Sequence, residues 1–162
     1  MLTALSYLVH LVATLLWFGW SVLAVMVSPL DSSSPMTALF RRMTPLALVA
    51  FAALGGSGLY QLAKDPHYVD LLALTNTWSQ LMFVKHVLYA AEALVLAFYR
   101  LNLEPELRLV GRAAARGRSP ADTPALVRRH TRLARLNLAL SLAILILTAW
   151  ITAIPDPPYP LR

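Results

Sequence analysis

Two of the four histidines in this chain, His10 and His86, lie inside long apolar stretches. Met82 precedes His86 by one helical turn, and Lys85 is its immediate neighbour. An imidazole nitrogen can bind a transition metal or haem iron, and a thioether sulfur is a soft ligand that suits Cu(I). The chain has no cysteine, which excludes disulfides, thiolate-bound zinc, Cys-ligated iron–sulfur clusters and covalently attached c-type haem.

Four apolar stretches must position these side chains. The chain has 162 residues, of which 58% are hydrophobic, and its mean hydropathy is +0.60. A helix that crosses a bilayer needs about 20 consecutive, mostly apolar residues. Four stretches are long enough: residues 4–28, 44–63, 78–100 and 134–154. The sequence therefore predicts an all-α integral membrane protein, a four-helix bundle in which residues 1–162 form a single transmembrane domain.

The basic residues predict the orientation of that bundle. The net charge is +6, and all but two of the fourteen basic residues are Arg. Most of the Arg lie in the first loop and in residues 100–133, and Lys and Arg collect on the cytoplasmic side of membrane proteins. This predicts up-down-up-down topology, with both termini on the outer (periplasmic) side and an Arg-rich cytoplasmic loop at 100–133. Within that loop, residues 104–116 and 124–135 could be helical and extend the third and fourth helices. The same placement, without a basic stripe or RNP-like motif, argues against nucleic-acid binding.

The loop at 100–133 also indicates partners beyond the lipid bilayer itself. Arg side chains near a membrane surface attract anionic lipid headgroups, which are the expected partner, and a docked cytoplasmic protein is the alternative. Other membrane subunits or a second copy of the chain stay open as partners. His130 lies in this loop, so we expect it to be solvated or at the level of the lipid phosphates.

Three of the four apolar stretches carry a polar stripe. Residues spaced by three, four, seven or eleven positions share one face of a helix. Polar groups at membrane depth are costly and usually face the bundle interior or a cavity, so an interior site is expected. The stripes contain His10, Thr14, Trp17 and Ser21 in the first stretch, Met82, Lys85, His86, Tyr89 and Glu92 in the third, and Asn137, Ser141, Thr148 and Thr152 in the fourth.

His10 and His86 fall at similar depth in their stretches. From the helical rise, His10 lies about 9 Å and His86 about 12 Å inside the outer ends of their helices. Gly55, Gly56 and Gly58 lie in the outer third of the second stretch, and glycine lets a flat macrocycle approach the backbone. This predicts haem b between the first and third helices, in the outer half of the bilayer, with both histidines as axial iron ligands. The alternative is that each His is a buried packing residue bonded to a hydroxyl or a carbonyl.

The neighbouring polar side chains would complete the site. Trp17 and Tyr89 are expected to line the cofactor, and Lys85 could pair with the haem propionates, act as an amine ligand or anchor an anionic substrate. Lys85 could instead snorkel to the outer interface or form a structural ion pair. Glu92 is expected to make a structural hydrogen bond, to Asn137 or Ser141, with a proton-relay role as the alternative.

Copper is the alternative cofactor. Met82 with His86 and His10 would form a soft site for Cu(I). The other interpretation of Met82 is a packing residue in the bundle. The Met-x-x-Met and His-rich motifs that would support copper transport do not occur.

Two segments carry a family resemblance. His10-Leu-Val-Ala-Thr-Leu-Leu-Trp17-Phe18-Gly19 resembles the first helix of the copper-resistance D (CopD-like) membrane family, where a His is followed seven residues later by Trp and then Gly. The segment that begins Gln80-Leu-Met-Phe-Val-Lys85 and ends Arg100-Leu-Asn102 resembles that family's third helix. The HemJ-type protoporphyrinogen oxidases are similar in the same two places, with a His in the first helix and a Lys in the third.

The resemblance implies a bundle of four or more helices in a bacterial inner membrane, with copper handling or haem-linked redox chemistry. By position, His10 and Lys85 resemble the HemJ-type pair associated with haem and activity. Where HemJ-type proteins have a first-helix extension with a Pro-Arg pair, this chain has Ser28-Pro29-Leu30. Three functions are expected: a haem b protein in electron transfer or porphyrin-linked oxidation, a copper uptake or tolerance protein, or a non-catalytic subunit of a larger membrane complex.

Overall fold

The computed structural model describes residues 1–27, 35–68, 74, 76–114, 116 and 123–155. The helices in these ranges are α1 (Leu2–Met26), α2 (Pro35–Leu62), α3 (Thr77–Phe98), α4 (Glu104–Ala114) and α5 (Thr123–Thr152). A short π-helical turn, Tyr99–Leu103, joins α3 to α4 without a break. Four helices are long and apolar enough to cross a bilayer: α1, α2, α5 and the continuous run Thr77–Ala113. The all-α fold with four apolar helices is thus confirmed.

Two helices begin earlier than the apolar stretches that predict them. The second was expected to begin at residue 44, because Thr44-Pro45 has the form of a helix start, but α2 begins at Pro35 and contains Pro45. The Thr44 hydroxyl donates to the Phe40 carbonyl at 2.8 Å and accepts from Trp20 Nε1 at 3.1 Å, so it joins α2 to α1 rather than capping a helix.

The other early start belongs to α5. It begins at Thr123, well before residue 134, because Pro124 falls in its first turn, where proline is tolerated, and no proline follows until residue 155. The helical extensions expected within the loop at 100–133 are confirmed where the structure describes them, by α4 and by the first part of α5. Some expected segments lie outside the described residues: residues 115 and 117–122 of that loop, residue 28 at the end of the first apolar stretch, and residues 29–34 of the first loop.

The expectation for His130 is wrong. Its side chain is buried in α5, where Nε2 lies 3.1 Å from the Ala24 carbonyl. The ring packs beside those of Phe40 and Tyr99, with centroids 6.3 and 5.7 Å away. Because α5 begins at Thr123, His130 lies two helical turns inside a packed helix and not in a solvated loop.

The long helices pack so that a space remains between α2 and α3. α1 lies against α2 and α5, and α3 lies against α5, whereas no Cα of α2 comes within 8 Å of a Cα of α3. Aromatic rings fill part of this gap: Trp17 of α1 contacts Phe51 of α2, which stacks on Tyr89 of α3. The remaining volume is the cavity described below.

The distribution of polar and apolar side chains is the one that a lipid environment requires. Glu92, Asn137 and Ser141 are buried between helices, while Leu15 and Leu94 on the outside are 74% and 72% exposed. Hydrocarbon favours this arrangement, because a polar side chain is costly in lipid and an apolar one is not.

Candidate cofactor site

A cavity of about 290 Å³ lies among the four long helices. This volume is near the lower end of the range of about 300–1,000 Å³ that is usual for ligand pockets. Leucine and isoleucine side chains form much of its wall. The polar and aromatic residues that line it are His10, Thr14, Trp17, Phe18, Lys85, His86, Tyr89, Glu92, Ser141 and Thr148, and two glycines, Gly55 and Gly58, complete the α2 side.

His10 enters the cavity from α1 and is anchored by α2. Its Nδ1 lies 2.9 Å from the Ser57 hydroxyl, which in turn donates to the Ala53 carbonyl at 2.6 Å. Because the Ser57 hydroxyl is directed at that carbonyl, we assign the hydrogen of the contact to His10 Nδ1, which then donates to Ser57. The lone pair of Nε2 is therefore left without a partner among the described residues.

His86 enters from α3 and is anchored within its own helix. Its Nδ1 lies 2.7 Å from the Met82 carbonyl, an acceptor, so Nδ1 carries the hydrogen and Nε2 carries the lone pair. The two imidazoles thus share one tautomer and line one cavity. A metal-ligating histidine usually donates its other ring N–H to a carbonyl or another acceptor in this way, which fixes the ring.

Lys85 lines the cavity and forms no ion pair with a described residue. The acid that shares the cavity with it is Glu92. The ion pairs in the described part of the chain involve Asp65 and Glu104, neither of which borders the cavity. A bound group with a negative charge would meet this cation.

The three glycines have different surroundings. A Cβ on Gly55 would lie 2.8 Å from the Tyr89 hydroxyl, so the missing side chain makes room for Tyr89, which donates to the Phe51 carbonyl at 2.5 Å. A Cβ on Gly58 would lie 3.5 Å from a ring carbon of His10. Gly56 is exposed and does not line the cavity.

Glu92 closes the deep end of the site together with Trp17. Trp17 Nε1 donates to Glu92 Oε1 at 3.0 Å, and the Ser141 hydroxyl donates to the same oxygen. Asn137 instead donates to the Ser21 hydroxyl at 2.8 Å, and that hydroxyl lies 3.3 Å from Ser141 Oγ. Of the two partners expected for Glu92, the structure brings Ser141 into contact.

Met82 is not brought together with the two histidines. Its side chain packs against a cluster of Leu62, Trp78 and Ile151, and only its carbonyl serves the site, by holding His86. Within the described residues, no group of three or more His, Asp or Glu side chains could hold a metal ion.

Ser57 is a site residue that the sequence-based expectation missed. It lies between Gly56 and Gly58, and its hydroxyl orients His10. Its position in the sequence could have identified it. Ser57 is the one hydroxyl within residues 55–58, the glycine-rich segment expected at the depth of His10.

No family model, curated protein or solved structure matches this chain. The functional assignment therefore depends on the cavity, its donor groups and the apolar helices that enclose it.

Proposed function

We propose that this chain is a multi-pass membrane protein that binds haem b between α1 and α3 and serves electron transfer or porphyrin-linked redox chemistry. One observation carries the proposal: imidazoles on two separate helices line one cavity, each with Nδ1 anchored and Nε2 free. Imidazole nitrogen is the usual axial ligand of b-type haem iron.

The number of donors favours haem over a bare copper ion. A transition-metal ion bound directly by protein generally needs three or four side-chain ligands. A porphyrin brings four nitrogens of its own, so the protein supplies only the axial ligands. Two histidines without a third donor are thus sufficient for haem, whereas a copper site would need Met82, whose side chain packs elsewhere.

The chain's own residues would hold the cofactor in defined ways. His10 and His86 would ligate the iron, with Ser57 and the Met82 carbonyl fixing their rings. Lys85 would pair with a propionate, because an unpaired cation in an apolar cavity is costly. Haem, when bound, supplies one-electron redox chemistry.

Contacts at the two ends support the up-down-up-down topology. Arg41 near the start of α2 and Arg100 beyond α3 both lie close enough to Tyr99 for their charges to act on it, so two basic segments share one end. At the other end, Gln61 donates to the Ser6 carbonyl, and His67 Nε2 lies 2.9 Å from the Pro155 carbonyl. The placement of Arg assigns this end to the cytoplasm and both termini to the opposite side. The resemblance of the first and third helices to the CopD-like family is what favours a bacterial inner membrane, with the termini on its periplasmic side.

The Arg-rich end would also bind anionic lipid headgroups. A surface groove on α4 is lined by three Arg: Arg100, Arg108 and Arg112. Glu104 pairs with the first two, which leaves Arg112 without an ion pair among the described residues. Juxtamembrane Arg contributes about 1 kcal/mol each to binding an anionic membrane surface.

The absorption spectrum of the purified full-length protein tests the haem proposal. We expect a Soret band with the features of a bis-imidazole haem in the wild type, and a loss or change of that spectrum in His10→Ala and in His86→Ala. His67→Ala is the matched control, because His67 lies outside the cavity and should leave the spectrum unchanged.

Three results would contradict the proposal. An unchanged haem spectrum in both cavity variants would refute the bis-histidine ligation. Copper without porphyrin in a metal analysis would support the copper alternative instead. A colourless, metal-free protein that co-purifies with a larger complex would indicate an accessory subunit.

A further inference from the structure

One carboxyl oxygen of Glu92, Oε2, forms no hydrogen bond with the described part of the protein. The side chain is 1% exposed, and both of its hydrogen bonds, from Trp17 and Ser141, end on Oε1. Among the described residues, the one fully enclosed side-chain nitrogen or oxygen without a partner is His130 Nδ1. Oε2 of Glu92 therefore borders open space, and the space that Glu92 lines is the cofactor cavity.

This geometry fixes where a proton on Glu92 would lie. Oε1 accepts two hydrogen bonds, so in the acid form it is the carbonyl oxygen and Oε2 carries the hydrogen. Trp17 and Ser141 are positioning residues, because they hold the carboxyl group in one orientation. The exchangeable proton thus faces the cavity and not the surrounding helices.

The other titratable groups that face this cavity already have other roles. His10 and His86 would be committed to the cofactor through Nε2, and the Tyr89 hydroxyl donates to the Phe51 carbonyl. Lys85 would face a propionate. The residues that α2 contributes are leucines and glycines, and α5 contributes hydroxyls and apolar side chains, so Glu92 is the one acid among the lining residues.

We propose that Glu92 is the proton-exchanging group of this cavity, taking up a proton on Oε2 when the bound cofactor gains an electron. One electron enters from an external reductant, one proton from solvent binds the Glu92 carboxylate, and the net charge of the cavity is unchanged. Oxidation reverses both transfers. The physical reason is that an uncompensated charge is far more costly in a low-dielectric interior than in water. This inference rests on the proposed haem binding.

A redox titration of the haem-loaded full-length protein at several pH values tests the proposal. In the wild type, the ratio of reduced to oxidised haem at fixed potential should fall as pH rises through the range where Glu92 titrates. This ratio can fall by at most tenfold per pH unit, which corresponds to a change of about 59 mV in the reduction potential for one electron. Propionates also titrate, so the measured quantity is the difference between wild type and variant.

Glu92→Gln is the informative variant. Its amide oxygen can accept from both Trp17 and Ser141, so the site geometry is kept, but no proton is exchanged. We expect this variant to bind haem and to lose the Glu92-dependent part of the pH dependence. Glu106→Gln, an exposed acid on α4, should behave like the wild type. Ser141→Ala keeps the acid, so the pH dependence should persist with its range displaced.

An infrared difference spectrum between reduced and oxidised wild-type protein gives a readout that does not depend on any variant folding. A carboxylic acid C=O band should appear on reduction and shift in D2O, and it should be missing from the Glu92→Gln spectrum, whereas a band from a propionate would remain in both. Absence of that band, or equal pH dependence in the wild type and Glu92→Gln, would overturn the inference while leaving haem binding intact. A purified protein without haem would overturn the proposed function and this inference with it.

Discussion

Replacing Gly55 with alanine should push Tyr89 out of its place beside the cavity. An ideal Cβ at position 55 would lie 2.8 Å from the Tyr89 hydroxyl oxygen and 3.3 Å from the ring carbon that carries it. Ordinary contacts between heavy atoms lie at about 3.5–4.0 Å, so the hydroxyl must move. Moving it weakens the hydrogen bond that Tyr89 donates to the Phe51 carbonyl.

The change in the free energy of unfolding caused by Gly55→Ala follows from two opposing effects. An extra methyl group in a packed interior costs about 1–3 kcal/mol, and alanine gains about 1 kcal/mol over glycine in a helix. Gly55→Ala should therefore lower the free energy of unfolding by up to about 2 kcal/mol. In the Tyr89→Phe background the closest atom is gone, so the same alanine should be neutral or stabilising by up to about 1 kcal/mol.

A double-mutant cycle measured by unfolding in mixed micelles gives the coupling between positions 55 and 89. We expect a coupling free energy of about 1–2 kcal/mol. Gly56→Ala is the matched control on the same helix, because a Cβ there meets nothing within 4 Å and should stabilise by about 0.5–1 kcal/mol. If Gly55→Ala and Gly56→Ala have equal effects, Tyr89 does not occupy the space beside Gly55, and the reasoning fails.

Three further predictions concern the cavity, the core and the surface. Ser57→Ala removes the partner of His10 Nδ1 and should weaken haem binding by about 10–100-fold in a haem titration, because outer partners orient a ligating histidine. His130→Phe should change the free energy of unfolding by less than about 1 kcal/mol, because it removes an unpaired nitrogen along with the contact to Ala24. His130→Ala should instead lower the free energy of unfolding by about 3 kcal/mol, because it leaves a void. Thermal unfolding measures both effects. Arg112→Ala should reduce binding to anionic-lipid vesicles about fivefold relative to the wild type, with no change for neutral vesicles.

The apolar stretches and polar stripes were readable from the sequence because they depend on helical geometry alone. The spacing of His10 and Trp17 along one face, and of His86 and Glu92 along another, holds for any regular helix. Each pair shares a face as this spacing requires, and the packing of the helices then turns both faces toward one cavity. The pairing of Glu92 with Ser141 was also within reach, because few polar groups were available at that depth.

Features that depend on contacts between helices could not be predicted from the sequence. Pro45 looks like a first-turn proline whether or not the helix continues before it, and the contact of Thr44 with Trp20 is not visible in sequence. Likewise, the composition around His130 indicates a solvated loop, while the packing of α5 buries it. Gly55 has its role only because Tyr89 arrives from another helix.

The two imidazoles differ in how their orientation is secured, and this difference has a consequence for assembly. His86 is fixed by a carbonyl of its own helix, so α3 presents it correctly before any packing occurs. His10 is fixed by Ser57, so its orientation depends on α1 and α2 being packed together. No Cα of α1 comes within 8 Å of a Cα of α3, so a ligand bound to both histidines would join two helices that otherwise meet mainly through side chains such as Trp17. Because a ligand that binds only the folded state stabilises it by mass action, removal of the proposed haem should loosen α1 relative to α3 more than α1 relative to α2.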